Sequence, residues 1–311
     1  MVTGSLGFDY IMDFSGRFSD RIMPDNIHKI SLSFLADRLS KQFGGTAGNI
    51  AYSLKLLEVE PDILSVAGND FAPYAAFLKK HAISVSHISV FEKEPTSCYF
   101  VVTDTDDNQI GSFYVGAQKF ASSLSVTKSD VHPAFAVISP QDPTAMKNFV
   151  RECQKLACPY LYDPAFQIGT FTASELREGI TGAEILIGND YEIDLIADKL
   201  DVTHEDLLVM GPKAVVTTLG AKGSIIETRH EAIHVKPAKA KRVSDPTGAG
   251  DAYRGGFIAG YVRGLPLEAC GQMGAVAAVY TVEKYGTVTH HYTVKEFVKR
   301  YKDTYDERPQ L

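Results

Sequence analysis

The segment Ser244-Asp245-Pro246-Thr247-Gly248-Ala249-Gly250-Asp251-Ala252-Tyr253-Arg254-Gly255-Gly256-Phe257 restricts the fold more than any other part of the chain. Pro246, Gly248 and Gly250 do not suit a regular strand or a helix interior before Asp251, whereas the apolar spacing of Ala252, Phe257, Ile258, Tyr261 and Val262 is helical. The segment is a loop that feeds the start of a helix. Unpaired backbone N–H groups and the positive end of the helix dipole meet at such a start and favour an anion. Gly248, Ala249 and Gly250 thus form an anion nest, with Asp251 at its mouth. There the carboxylate is expected to be drawn toward its ionised form and to be able to accept a proton from an attacking hydroxyl. A nest beside a base points to phosphoryl transfer to an alcohol; the alternative is a tight turn closed by a capping aspartate. A Walker A loop is excluded, because no Gly-Lys-Ser or Gly-Lys-Thr ends the segment, and the dinucleotide-binding and protein-kinase signatures are absent.

With 311 residues, 45% of them hydrophobic and 22% charged, the chain can bury a sizeable core as a single domain. A formal net charge of -7 with no basic block argues against nucleic-acid binding. No apolar run approaches the ~18 residues of a membrane span, and the start lacks the pattern of a secretory signal, so a cytoplasmic protein without a membrane partner is expected. Cys98, Cys153, Cys158 and Cys270 have no zinc-type pairing and read as reduced core or helix-face thiols. His290 and His291 fit no metal pattern and read as surface or helix-capping residues.

Residues 2–7 form a short apolar run, read as a buried strand that delivers Asp9 to the end of a sheet, where α/β proteins bind ligands. Residues 10–43, including alternating stretches at 10–14 and 27–34, together with a hairpin at 97–103 and 109–115, suggest a small sheet projecting from the main body. Asp104, Asp106 and Asn108 imitate the start of an EF-hand loop, but Gln109 and Val115 stand where the glycine and glutamate belong, so a polar turn is expected rather than a calcium site. Elsewhere strands alternate with helices. Strands are read at 62–67, 135–139, 160–163, 184–188 and 214–218, and helices at 71–82, 144–157, 173–180, 192–200, 267–284 and 294–305. This alternation predicts an α/β fold with a parallel sheet covered by helices.

Three further motifs accompany the first. Gly44-Gly45-Thr46-Ala47-Gly48-Asn49 is a glycine-rich loop opening a helix, Asn189-Asp190-Tyr191-Glu192 lies between a strand and a helix, and Thr217-Thr218-Leu219-Gly220-Ala221-Lys222-Gly223 joins two strands. Each also has a plain reading: a close-packed turn for the first, a helix cap at Asn189 for the second, and a hairpin turn, equally good on its own, for the third. Taken in order with residues 245–257, they resemble the signatures of the PfkB (ribokinase-like) carbohydrate and nucleoside kinases. The resemblance implies a ribokinase-like α/β/α sandwich with a central, mostly parallel sheet. It further implies one kinase domain over residues 1–311, with a small β-sheet lid from about 10–43 and 96–118.

By the same resemblance Asp251 is the catalytic base, and Gly248, Ala249 and Gly250 hold the transferring phosphoryl group. Asp9, Gly44, Gly45 and Asn49 would bind the acceptor's vicinal hydroxyls. Thr218, Gly220, Gly223 and Asn189 would contact ATP. Glu192 would serve Mg2+, largely through water, and Asp245 would neighbour a monovalent cation such as K+. The start at Gly4-Ser5-Leu6-Gly7-Phe8-Asp9, the long first lid segment and the hairpin ending in Gly116-Ala117 look most like prokaryotic nucleoside kinases, adenosine kinases included. Phe14, Phe100, Phe113 and especially Phe166 are the aromatic residues available to a base. Ala72-Pro73 and Asp245-Pro246 depart from the commoner family residues at these places. The expected activity is ATP- and Mg2+-dependent phosphorylation of a nucleoside 5′-hydroxyl. The alternatives are a sugar kinase of the ribokinase or fructokinase type and, more remotely, a non-catalytic nucleotide or nucleoside sensor. Edge strands of the lid would suit either a monomer or a homodimer.

Overall fold

The computed structural model describes residues 1–23, 31–106, 108–130 and 132–309. In chain order the elements begin with β1 (Val2–Thr3), β2 (Gly7–Phe14), β3 (Ala36–Gly44), α1 (Thr46–Leu56), β4 (Ile63–Gly68), α2 (Ala72–Lys80) and β5 (Ile88–Phe91). Next come β6 (Ser97–Thr103), β7 (Gln109–Tyr114), β8 (Ala136–Ile138), α3 (Pro143–Lys155), β9 (Tyr160–Tyr162), α4 (Ala173–Thr181), β10 (Ile185–Asn189), α5 (Asp190–Leu200) and α6 (His204–Met210). The chain continues through β11 (Ala214–Thr218), β12 (Ser224–Glu227), β13 (Ala232–Val235), α7 (Ala249–Tyr261), α8 (Leu267–Val282) and α9 (Val294–Tyr305). Part of the alternating stretch read at 27–34 (residues 27–30) and Asp107 of the hairpin turn lie outside the described residues.

A nine-stranded sheet has the order β13-β12-β11-β10-β9-β8-β1-β4-β5. Its strands from β5 to β11 are parallel, and β12 and β13 add an antiparallel edge. Strands such as Ile185-Leu186-Ile187 and Ala214-Val215-Val216 are buried on both faces, which is why they read as unbroken apolar runs. Side chains of α1, α2, α7, α8 and α9 fill one face of the sheet, and those of α3 to α6 fill the other. The result is the expected α/β/α sandwich. Successive strands lie on opposite sides of the β1–β8 boundary, so the crevice at the carboxyl ends of the strands opens there.

The second sheet has the order β3-β2-β6-β7, with β2 parallel to β6 and the other pairs antiparallel. One expectation is corrected here. The apolar run 2–7 is not one strand ending in Asp9: β1 stops at Thr3, and Gly7 already pairs with Gly44 and Ser97 in the second sheet. Asp9 therefore belongs to the small sheet, on the strand that leaves the large one. The hairpin turn is closed by Asp104, whose carboxylate accepts backbone N–H groups from Phe18 (2.9 Å), Asp106 (3.0 Å) and Asn108 (2.9 Å). These bonds, with the Asn108 side chain, outweigh desolvation and hold its pKa down at about 2.

A second correction concerns His290, which is only 2% exposed. Its carbonyl accepts the Tyr52 hydroxyl at 2.6 Å, and burial pushes the imidazole down to about 4. The cap of α9 is instead Thr293, in a reciprocal box with Glu296. All four cysteines are buried and unbridged.

Candidate active site

The loop before α7 ends at Gly248, whose φ of 78° is the left-handed conformation that glycine adopts without strain. Helix α7 is then held by close packing. A Cβ on Gly255 would fall 2.5 Å from the Ser53 Cβ of α1, and one on Gly256 would fall 2.5 Å from the Met273 carbonyl oxygen of α8. Small residues at these two places let three helices converge, and that convergence aims the first turn of α7. Asp251 in that turn accepts a hydrogen bond from Asn49 Nδ2 at 2.8 Å, joining two of the four motifs. The Oδ1 atom of Asn49 is buried and has no partner among the described residues.

Asp9 lies beside this pair. Burial, then the charges of Asp251 and Asp245, raise its pKa to about 7. Gly44 makes room for it, because a Cβ at that position would sit 2.2 Å from Asp9 Oδ2. The Gly44 carbonyl is pinned by the hydroxyl of buried Tyr74 at 2.9 Å. Gly45 precedes α1, and the Asn49 N–H donates to its carbonyl at 3.0 Å. Asp251 departs from the sequence expectation in one respect. Burial raises its pKa, opposed by Arg254 and the Asn49 hydrogen bond, so the surroundings work against ionisation rather than for it. Gly250 is exposed and Gly248 and Ala249 are half-buried, but the Asp251 carboxylate points back into the fold, and there the desolvation penalty wins.

Asp245 accepts the Thr247 N–H at 2.9 Å through Oδ1 and the Gly286 N–H at 3.0 Å through Oδ2. It thereby staples the loop to the turn after α8, and Thr287 donates its hydroxyl to the Phe43 carbonyl from the same turn. Asn189 and Glu192 form a reciprocal cap at the start of α5, with both bonds at 2.8 Å. Asn189 is also the last rung of β10 beside Thr218 of β11.

Two cavities flank the loop. One, about 690 Å³, is lined by Thr218, Gly220, Gly223, Ala249 and Gly250, with an apolar wall that includes Val243, Ala275 and Val279. The other, about 630 Å³, is lined by Asp9, Asp13, Tyr99, Thr103, Asp245 and Tyr285. Val243 and Pro246 line both, so the loop is a partition between a mostly apolar chamber and one of mixed, more polar lining. Phe166 lines neither: it is 64% exposed and its ring lies 6.5 Å from that of Phe113 on β7. Phe14 lines the second cavity while packing against Phe18 and Phe34, and Phe100 stacks on Tyr10. Asn189 and Glu192 are not among the lining residues of either chamber.

Sequence reasoning passed over Asp163 and Arg254, an ion pair of 2.5 Å that is almost wholly buried just behind Asp251. The signal was a lone arginine among the small and apolar residues of a buried helix, where an unpaired charge is not tolerated. It also passed over Gln118 and Gln141, both 3% exposed and with neither amide atom partnered among the described residues. Gln141 follows β8 directly after Pro140, whose carbonyl accepts the Ser5 N–H at 3.1 Å beneath the Gly44 loop. Buried amides left open in this way can complete their bonds with a polar ligand.

Paired chambers at the carboxyl ends of a parallel sheet, with a glycine loop and a carboxylate between them, define a two-substrate transferase of the kinase class. The chain belongs to the pfkB family of carbohydrate kinases, whose profile matches residues 11–293. It is 32% identical over 317 residues to a nucleoside kinase of Methanothermobacter thermautotrophicus, covering 100% of this chain and 98% of that protein. The structure of a Burkholderia thailandensis nucleoside kinase in complex with inosine superposes with a TM-score of 0.92 at 29% identity, covering 100% of this chain and 99% of the other. The same kinase in complex with ADP-inosine superposes with a TM-score of 0.90 at 30% identity, covering 100% and 98%. Among the described residues no helix is long and apolar enough to cross a membrane.

Proposed function

We propose that this chain is a nucleoside kinase that transfers the γ-phosphoryl group of ATP to the 5′-hydroxyl of a nucleoside in the cytoplasm. The observation that carries the acceptor class is the likeness over the whole chain to a nucleoside kinase and to an inosine-bound one. The cavities agree with it. ATP occupies the apolar chamber, with Thr218, Gly220 and Gly223 at its mouth and Asn189 beside Thr218. The nucleoside occupies the second chamber, its ribose hydroxyls donating to Asp9 on the chamber wall, with Gly44 against the Asp9 carboxylate and Gly45 and Asn49 beyond that wall completing the grip.

Asp251 takes the proton of the 5′-hydroxyl as the new O–P bond forms and the bond to the β-phosphate oxygen breaks, leaving ADP. The N–H groups of Gly248, Ala249 and Gly250 face the charge that builds on the phosphoryl oxygens. A base with a raised pKa suits this step at neutral pH. Magnesium would be held by the ATP phosphates and, through water, by Glu192, whose charge reaches Asp163, Asp251 and Arg254. It would supply neutralising charge there. Each Asp245 oxygen keeps a lone pair beyond its backbone bond, which fits a neighbouring monovalent cation.

The small sheet acts as the lid of a single kinase domain, and Phe166 meets the base when Phe113 and the lid close over it. Gly44→Ala is expected to displace the Asp9 carboxylate. The nucleoside KM rises at least ~10-fold, the loss of about one charge-assisted hydrogen bond, while the ATP KM is unchanged. An equal rise in both would show that the loop does not discriminate between the chambers.

The reading is tested by a coupled assay with ATP and magnesium against adenosine, inosine, guanosine, cytidine, ribose, fructose and fructose 6-phosphate. Turnover of one or more nucleosides, with free sugars slower by ~10²-fold or more, is the expected result. Turnover of sugars alone overturns the acceptor class, and no turnover of any acceptor overturns the catalytic reading in favour of a sensor.

A further inference from the structure

Asp251 and three further carboxylates meet at the start of α7, and Arg254 is the cation set against them. Asn49 reaches the Asp251 carboxylate from α1, Glu192 faces it from α5, Asp9 from β2 and Asp163 from the end of β9. Arg254, one turn further along α7, is the cation among them. Its side chain is 8% exposed and that of Asp163 is 1% exposed, and Arg254 Nε lies 2.5 Å from Asp163 Oδ2. Asp163 Oδ1 and Arg254 Nε both lack a hydrogen-bond partner among the described residues, so the pair is a close charge contact at one oxygen, without an aligned hydrogen bond. The guanidinium also lies under the anion nest, with Nη1 2.8 Å from where a Cβ on Gly250 would sit. Burying two charges costs several kcal/mol each before any attraction is recovered, and a well-packed apolar pair is often as stable. A pair placed here, against the nest and the base, points to a role other than stability.

Building on the function proposed above, we propose that Arg254, tethered by Asp163, is a positioning residue for phosphoryl transfer. It holds positive charge one helical turn behind Asp251, and Asp163 keeps that charge from closing onto the Asp251 carboxylate. Arg254 thus supports the ionised base in a desolvated site, and the tether leaves the base free to take the proton. The charges act reciprocally. Burial would lower the pKa of Arg254, but Asp163 and Asp251 more than offset it, so the guanidinium stays charged.

The two partners should move catalysis in opposite directions, which a merely structural pair would not do. In the full-length protein, kcat is measured from pH 5 to 9.5 with ATP, magnesium and the fastest nucleoside of the panel. For Arg254→Gln the acidic limb of kcat moves up by about one pH unit, as loss of a neighbouring opposite charge does, and activity is regained at alkaline pH. For Asp163→Asn the limb moves down and the plateau falls, because the released arginine now neutralises the base. Arg254→Lys restores at least half of the Arg254→Gln displacement.

Nucleoside KM changes by less than about threefold throughout, well under one lost hydrogen bond to a charged group. If Arg254→Gln does not fold, Asp163→Asn and Arg254→Lys still carry the test. Limbs that stay in place, or that move the same way in both partners, overturn the proposal. Asp251→Asn separates the two readings. If that variant keeps its turnover, the base assignment fails. If it loses turnover while the Arg254→Gln limb is unmoved, only the role of the pair fails.

Discussion

Asp251→Asn is expected to bind nucleoside with nearly unchanged KM while kcat falls by ~10² to 10⁴, the usual cost of removing a positioned base. The amide keeps the shape of the side chain. Asn49 Nδ2, which donates to Asp251 Oδ2 at 2.8 Å, can still donate to the amide oxygen, so the geometry of the first turn is preserved. What is lost is the ability to hold a proton. Stability should not fall with activity. The Asp251 pKa is raised in the fold by burial, so its favourable contribution is present below the unfolded value of 3.8 and is lost as pH rises through the folded value. At pH 8 the ionised carboxylate therefore works against the fold, and the neutral amide melts at the same temperature or higher. Turnover within ~10-fold of wild type would remove Asp251 from the chemistry, because that loss is below the range for a general base.

Asp9→Ala is expected to raise the nucleoside KM by ~10² to 10⁴ with a smaller change in kcat. Two ribose hydroxyls donating to one carboxylate are worth about 1.5–3 kcal/mol each as hydrogen bonds to a charged group. The pH dependence is the sharper test. The free enzyme holds Asp9 at about 7, through burial first and then the charges of Asp251 and Asp245. Hydroxyl donors favour the ionised form, so its pKa drops when nucleoside binds. Affinity should therefore climb with pH, by up to ~10-fold per unit, until about pH 7, and level off above it. In Asp9→Ala that climb disappears. The ligand-free fold shows the opposite trend: the stability associated with protonated Asp9 is full below 3.8 and is lost as pH rises through about 7. Calorimetric titration of nucleoside at pH 5.5, 7 and 8.5 reads the affinity directly, and a flat response in the wild type would contradict the assignment.

Much of the large sheet was legible because parallel strands buried on both faces leave short apolar runs. Helices with strong caps were equally readable; α9 spans Val294–Tyr305, the range read from sequence. β5 and α6 escaped notice, since β5 buries only one of its four residues and α6 has only seven. β13 was missed because it alternates exposed and half-buried residues, with only its last residue buried. The glycine loops could be found because their residue types are dictated locally by φ, by anion contact or by close approach.

Asp163, Gln118 and Gln141 depend on long-range neighbours, and nothing adjacent in sequence marks them. Asp163 meets Arg254 only after α7 has packed across the sheet. The raised pKa of Asp251 was misjudged for the same reason, since desolvation is a property of the whole packed surround.

The course of β2 has a consequence for how such proteins can diversify. The chain leaves the large sheet after Thr3 and passes through Gly4-Ser5-Leu6 into β2, which carries Asp9 at its third residue and is the second strand of the small sheet. On the function proposed above, the carboxylate that would grip the acceptor and the first two strands of the covering sheet are one continuous piece of backbone. A chimaera that exchanges residues 7–44 with a relative would exchange the proposed grip together with half of the covering sheet and leave β6 and β7 behind, so substrate preference and part of the lid would be inherited together.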